Sequence, residues 1–360
     1  MCERTPEKGP PISFRREAPP WLEDFCRTPE MQRLKDVGMN CGCEYTAFPR
    51  FRGLEPYSRY RHSVGTARIV WDFTGDAAQT IAALFHDIAT PAFAHSVDFL
   101  RGDHLRQEAT EEGTAKTIRN SREIMDLLSR IGLSADEVLD YHRYPIADND
   151  ALRLSADRLE YSLGNMESYG FCSRQELQGY YDALIVSDNE DGVPELSFSD
   201  RDTALAFGMG ALRCSGVYVS DEDRYAMQML AELLRDAIQR GVLREEDLDT
   251  TEPRVIACLQ RDQNSAADWE RFRALSRMVT QASEAPQRLR RVIPAKKRVI
   301  DPLIAGKGRL SRLEARFAGE LDAFLKKGQD HWICGLGLAL SSYGTDYING
   351  FKKPPIRWIH

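Results

Sequence analysis

Three histidines, His62, His86 and His95, fall within the stretch from Arg59 to Asp98, and His86 is followed directly by Asp87. His104 lies just beyond, so four of the seven histidines occupy positions 62–104. Imidazole next to carboxylate is a mixed N/O ligand set that suits one divalent ion, whether Mn, Fe, Co, Ni, Zn or Mg, according to geometry. A fourth ligand must come from elsewhere. The segment LRLSADRLEYSLGNMESYG offers Asp157 among Leu152, Leu154, Leu159 and Leu163, with Tyr161 and Asn165 four and eight residues further on, a polar stripe on a core-like helix. The competing reading is a solvated stripe in which Asp157 pairs with Arg153 or Arg158. His95 and Asp98 stand at i,i+3, a spacing at which one helical turn lets the carboxylate fix the imidazole.

The elements that must position these groups read as helices. HSVGTARIVWDF covers about 62–73, Thr74-Gly75-Asp76 ends it and caps AAQTIAALFHDIA, and Pro91 stops that second helix. A short antiparallel pair of this kind brings His62 level with His86-Asp87. Other helices are expected at about 20–37, 106–131, 135–142, 150–169, 174–186, 199–215 and 221–240, the last with Asp221, Glu222 and Asp223 in its first turn. Residues 38–58 read as loop with a short hairpin. From about 250 the texture shifts: RVIPAKKRVIDPLI has β-branched runs that pair as strands, followed by a helix near 311–326. The fold class is mainly α with a small mixed α/β C-terminal part.

At 360 residues with 42% hydrophobic and 29% charged content, the chain reads as globular, with room for a large core. The polar start resembles no signal peptide, no run is long enough to span a membrane, and irregularly spaced cysteines suit reduced thiols, so the expected location is cytoplasmic. Cys41 and Cys43 flank one glycine without a second pair to complete a zinc knuckle. A net charge of −7 argues against nucleic acid as partner, and leaves any anionic substrate to local cations such as Arg50, Arg52, Arg59 and Arg61.

The ordered set of motifs resembles the HD-domain metal-dependent phosphohydrolases, and within them the dNTP triphosphohydrolase branch. The matching stretches are Thr28-Pro29-Glu30-Met31-Gln32-Arg33-Leu34, Arg59-Tyr60-Arg61-His62-Ser63-Val64-Gly65, His86 through Asp98, and Asp157-Arg158-Leu159-Glu160-Tyr161. AKKRVIDPL also looks like that family's C-terminal segment. The resemblance implies an HD helical bundle at 46–245, preceded by an arm and first helix at 1–45 and followed by an α/β extension at 246–360 that packs on the core. It implies His62, His86, Asp87 and Asp157 as ligands of one divalent metal. It also implies Arg59, Arg158, Tyr161 and Asn165 as substrate contacts, and His95 supported by Asp98 as catalytic. The implied substrate is a nucleotide, the reaction hydrolysis of a (deoxy)nucleoside triphosphate to nucleoside and tripolyphosphate, and the assembly a homodimer or higher oligomer.

The chain departs from the pattern in several places. Thr90 stands where the dNTP enzymes commonly carry a second histidine, Asn165 where they often have an aspartate, Met39-Asn40 near a sugar-reading Gln-Leu pair, and Arg27 at a guanine-reading aspartate. A further family histidine falls either on His104 or at Gln107-Glu108. The metal site is therefore kept while sugar and regulatory positions change. The alternatives are another HD chemistry (nucleotide monophosphatase, phosphodiesterase or dinuclear oxygenase) and a non-catalytic nucleotide-sensing HD protein.

Overall fold

A computed structural model describes residues 7–102, 113–280 and 287–337. The architecture is mainly α. In chain order the helices are α1 Pro20–Cys26, α2 Pro29–Arg33, α3 Arg59–Thr74, α4 Ala77–Phe85, α5 His95–Arg101, α6 Thr114–Asn120, α7 Arg122–Arg130, α8 Ala156–Ser168, α9 Arg174–Asp182, α10 Arg201–Tyr218, α11 Asp221–Gln239, α12 Glu252–Arg261, α13 Gln263–Arg273, α14 Leu310–Leu313 and α15 Ala315–Lys326. The strands are β1 Leu184–Asp188, β2 Pro194–Phe198, β3 Leu275–Val279, β4 Leu303–Ile304, β5 Gly308–Arg309 and β6 Cys334–Gly337. One sheet has the order β1-β2-β4-β5, and β3 pairs antiparallel with β6.

Three helices carry the clustered histidines and acids, and local chemistry sets each boundary. Ser58 caps α3 by accepting from the Arg61 N–H, and Gly75 ends it at φ 64°, a left-handed conformation in which a side chain is strained. Asp76 caps α4 and Ser155 caps α8 in the same way. Both α4 and α8 pack against α3. The rotation of α8 is decided by Leu159, Leu163 and Met166, each at most 1% exposed. Burying each such side chain is worth about 1.5–3 kcal/mol, so the polar face with Asp157, Glu160 and Tyr161 turns toward α3. Ahead of α8, Glu195 on β2 receives both terminal nitrogens of Arg309 at 2.6 and 2.7 Å and accepts from the Leu154 N–H at 3.1 Å. That paired, hydrogen-bonded arrangement is what lets a fully buried carboxylate persist.

Several expected elements differ. The helix expected over 20–37 is broken because Pro29 lacks an N–H and Thr28 is extended (ψ 144°), so α2 restarts there and ends in a 3₁₀ turn at Leu34–Asp36. The helix expected over 77–89 closes at Phe85, leaving His86-Asp87 in the turn that follows. Residues 135–142 form two separate 3₁₀ turns, Ala135–Glu137 and Tyr141–Arg143. The described part of 106–131 divides at Ser121, which caps α7. The helix expected to run through 186 ends at Asp182, and a hairpin of β1 and β2 takes over. The run 291–304 makes two isolated bridges, Arg291 with Ile333 and Ile300 with Leu152, in addition to β4. Helices α12 and α13 occupy a region that showed no helical expectation; Asp262 separates them by capping α13 through the Ser265 N–H.

Candidate metal centre

His62 lies in the first turn of α3, Asp157 in the first turn of α8, and His86-Asp87 just past the end of α4. The packing of these three helices brings donor atoms of His62, His86 and Asp87 within 4.8 Å of one another and sets Asp157 beside the two imidazoles. His62 Nε2 is 3.0 Å from Asp157 Oδ1, 3.1 Å from His86 Nε2 and 3.8 Å from Asp87 Oδ2. His86 Nε2 is 3.5 Å from Asp87 Oδ2 and 3.6 Å from Asp157 Oδ1. Donors about 2.1 Å from one ion stand about 3.0 Å apart at right angles and about 3.4 Å apart at the tetrahedral angle, so the His62, His86 and Asp87 spacings, and those from Asp157 to the two imidazoles, are of the size a shared ion requires.

The orientation of each ligand is held from behind. His62 Nδ1–H donates to Glu160 Oε2 at 2.6 Å, and His86 Nδ1–H donates to the Ala83 carbonyl at 2.7 Å. Carboxylate and carbonyl oxygens only accept, so both rings carry the proton on Nδ1 and face the cluster with Nε2, as metal-bound histidines do. Tyr57 OH also donates to Glu160. Asp87 is fixed from two sides, by Arg59 Nη1 on Oδ2 at 2.6 Å and by Thr90 Oγ1 on Oδ1 at 2.7 Å. Thr90 thus occupies its unusual position as a support for Asp87.

The cluster formally holds three carboxylates, Asp87, Asp157 and Glu160, against one guanidinium, Arg59, leaving two negative charges in a buried setting. Such a site attracts positive charge, supplied by a protonated His62 or by a bound cation. Burial alone would lower the His62 pKa, but its hydrogen bonds to Asp157 and Glu160 carry it up to about 10. Burial opposes ionisation of Asp87, yet Arg59 and then His86 hold its pKa far below the usual carboxylate range. A divalent ion matches both the donor set and the charge.

Two glycines make the back of the site possible. A Cβ on Gly65 would stand 2.5 Å from Glu160 Oε1, and one on Gly164 would stand 2.4 Å from the Tyr57 ring and hydroxyl. The glycine one turn after His62 is therefore the space into which Glu160 packs.

A cavity of about 330 Å³ opens from the cluster. Along α8, Asp157, Tyr161 and Asn165 line it at successive turns, a run of about 12 Å. Asn165 donates to Tyr218 OH at 2.8 Å while its own buried Oδ1 has no partner, and Tyr169 OH donates to Asn40 Oδ1 at 3.1 Å. Arg158 lines the cavity as well, with its guanidinium bonded to Asn149 Oδ1 and to the carbonyls of Asn149, Asp150 and Arg153 at 2.6–3.0 Å.

His95 is on the same cavity, its Nδ1–H donating to the buried Asp98 Oδ2 at 2.8 Å and its Nε2 3.3 Å from Arg298 Nη2. Burial lowers the His95 pKa, Asp98 works against that, and Arg298 and Arg59 add to the lowering. The turn before it is strained: Phe93 and Ala94 adopt φ of 65° and 42°. Among the described residues, the other non-glycine positive-φ positions are Cys41, which lines the cavity, and Leu152, which follows the lining residue Ala151. Sequence reasoning missed Glu160, Thr90, Arg298 and a second imidazole–carboxylate pair, His142 Nδ1 to Asp148 Oδ2 at 2.8 Å, on the cavity wall. Glu160 carried a local signal, being one turn after Asp157, while Thr90 stood out only as a departure from the pattern and Arg298 only as part of AKKRVIDPL. His104 and Gln107-Glu108 lie outside the described residues.

No family model matches the chain. Over 246 residues, 68% of this chain and 72% of the relative, it is 27% identical to the uncharacterized protein YdhJ of Bacillus subtilis. Over 298 residues, 80% of this chain and 81% of the relative, it is 23% identical to the metal-dependent phosphohydrolase cns2 of Cordyceps militaris. That distant likeness, with the His62–His86–Asp87 cluster, supports the HD-domain superfamily and metal-dependent hydrolysis for this protein.

Proposed function

We propose that the protein hydrolyses nucleotides, cleaving (deoxy)nucleoside triphosphates to nucleoside and tripolyphosphate at one divalent ion held by His62, His86, Asp87 and Asp157. The observation that carries this reading is the α8 face: its acid stands in the cluster, and its tyrosine and asparagine continue along the same cavity for two turns. That length and polarity match a phosphate at the metal end and a sugar and base beyond, with the unpartnered Asn165 Oδ1 ready to accept from a sugar hydroxyl or an amino group.

A divalent ion in this setting lowers the pKa of bound water and polarises a phosphoryl oxygen. The chain's own residues do the rest. Arg59 fixes Asp87 and adds positive charge near the reacting phosphorus. Tyr161 walls the substrate between the cluster and Tyr218. His95, neutral and tethered by Asp98, presents an Nε2 lone pair that takes a proton from the attacking water and returns it to the leaving oxygen.

A second reading, a nucleoside monophosphatase, is favoured by one feature: Arg59 and Arg158, the expected triphosphate contacts, both bond to the protein itself. Incubating the metal-loaded protein with nucleoside mono-, di- and triphosphates and separating products decides between them. Tripolyphosphate with free nucleoside supports the first reading, and orthophosphate from monophosphates alone replaces it with the second. Failure to release any phosphate species with every metal tested overturns both.

A further inference from the structure

Residues 295–299, Ala-Lys-Lys-Arg-Val, line the same cavity as the metal cluster. They reach it from the C-terminal part of the chain, Arg298 meeting His95 across 203 positions of sequence. The segment is pinned on both sides. Before it, Arg291 and Ile333 exchange backbone hydrogen bonds of 2.9 and 2.8 Å, and the Ala295 N–H donates to Gln329 Oε1 at 2.6 Å. After it, the Asp301 N–H donates to the Leu152 carbonyl at 2.7 Å, and the Asp301 carboxylate accepts from the Ser311 N–H and Oγ at 2.9 and 2.6 Å. Lys297 Nζ donates to the carbonyls of Leu325 and Lys327 at 2.5 and 2.7 Å. The strap is thus anchored by Ala295, Lys297 and Asp301.

Arg298 faces the His95 side of the cavity. Its guanidinium approaches His95 Nε2, and its positive charge acts on both His95 and Tyr161. A permanently charged guanidinium against an imidazole leaves that imidazole neutral, and its planar fork is the geometry that receives phosphate oxygens. Lys296 lines the cavity two residues away.

We propose that Arg298, with Lys296 beside it, is a polyphosphate clamp that takes the phosphoryl groups beyond the one at the metal. This deepens the phosphohydrolase reading above and rests on it for the position of the first phosphoryl group.

The test uses the full chain loaded with Mn²⁺ and two probes, inorganic tripolyphosphate and orthophosphate, titrated calorimetrically. Wild type should bind tripolyphosphate the more tightly. Arg298→Ala should weaken tripolyphosphate by about 10- to 100-fold, the usual worth of a charge-assisted contact, while orthophosphate affinity and metal content stay put. Arg298→Lys should recover part of the loss, and Lys296→Ala should show a smaller selective loss. Equal loss for both anions, no loss, or loss of metal in Arg298→Ala overturns the clamp. Should Arg298→Ala fail to fold, the Arg298→Lys and Lys296→Ala pair decides on the same criterion. Selective tripolyphosphate binding by a wild type that hydrolyses no nucleotide keeps the clamp and overturns the reading on which it rests; hydrolysis without anion selectivity does the reverse.

Discussion

His62 Nδ1 and Glu160 Oε2 stand 2.6 Å apart, and Glu160 is one turn after Asp157 on α8. One helix therefore supplies both an acid of the cluster and the group that aims a neighbouring imidazole. Glu160→Gln should weaken divalent-metal affinity by about 10- to 100-fold, the usual cost of losing such an outer partner, with helical content retained. Chelator-competition titration measures this, and an unchanged Kd would remove Glu160 from the metal centre.

The ligand assignment is tested by His86→Ala and Asp87→Asn. Each should leave a helical protein without bound metal or turnover. Asn is preferred at position 87 because its amide oxygen can still accept from Arg59, whereas deleting the side chain would remove that acceptor as well as the charge. Full metal content in Asp87→Asn, measured by elemental analysis, would sink the assignment.

His95→Asn keeps a donor for Asp98 and removes the proton acceptor. It should lower kcat by about 10²–10⁴ and leave the metal in place. Wild-type turnover would refute the catalytic role, and loss of metal would make His95 a ligand.

The neutral state of His95 sets a pH dependence. Its folded pKa lies below the ordinary 6.5, first through burial and then through Arg298 and Arg59, with Asp98 opposing. As pH falls below 6.5 the unfolded chain protonates this histidine before the folded protein does, so the group's effect on stability turns unfavourable there. The acid limb of kcat/KM should accordingly lie below pH 6.5, and Arg298→Gln should move it upward. A wild-type limb above 6.5 that His95→Asn leaves unmoved would contradict this.

Gly65→Ala and Gly179→Ala make a matched pair. At Gly65 the new methyl meets Glu160 at 2.5 Å, whereas at Gly179, inside α9, it meets nothing within 4 Å. The first should destabilise by about 1–3 kcal/mol and weaken metal binding, and the second should stabilise by about 0.5–1 kcal/mol. Denaturant midpoints and metal titration of the two variants check both signs; a neutral Gly65→Ala would mean Glu160 has room to retreat.

Sequence alone carried what is encoded within a turn or two of chain. Although the Ser58 cap that starts α3 at Arg59, three residues before the expected His62, was not read, the bounds of α11, the cap at Asp76, the His95–Asp98 pair and the run Asp157, Tyr161, Asn165 are such features. So is the family likeness, which rests on short motifs. What stayed hidden involves partners distant in sequence. Arg298 reaching His95, Tyr57 and Glu160 meeting between two glycines, and Arg309 joining Glu195 depend on how helices and strands pack, and no local periodicity records that. The β1–β2 hairpin was hidden for a related reason. Ile185 and Val186 are each 40% exposed, so the apolar pattern there follows a pairing between strands instead of a buried face. Thr90 shows the division most sharply: its identity was plain as a departure from a pattern, but its task, holding Asp87 Oδ1, exists only once the turn after α4 folds back beside α3.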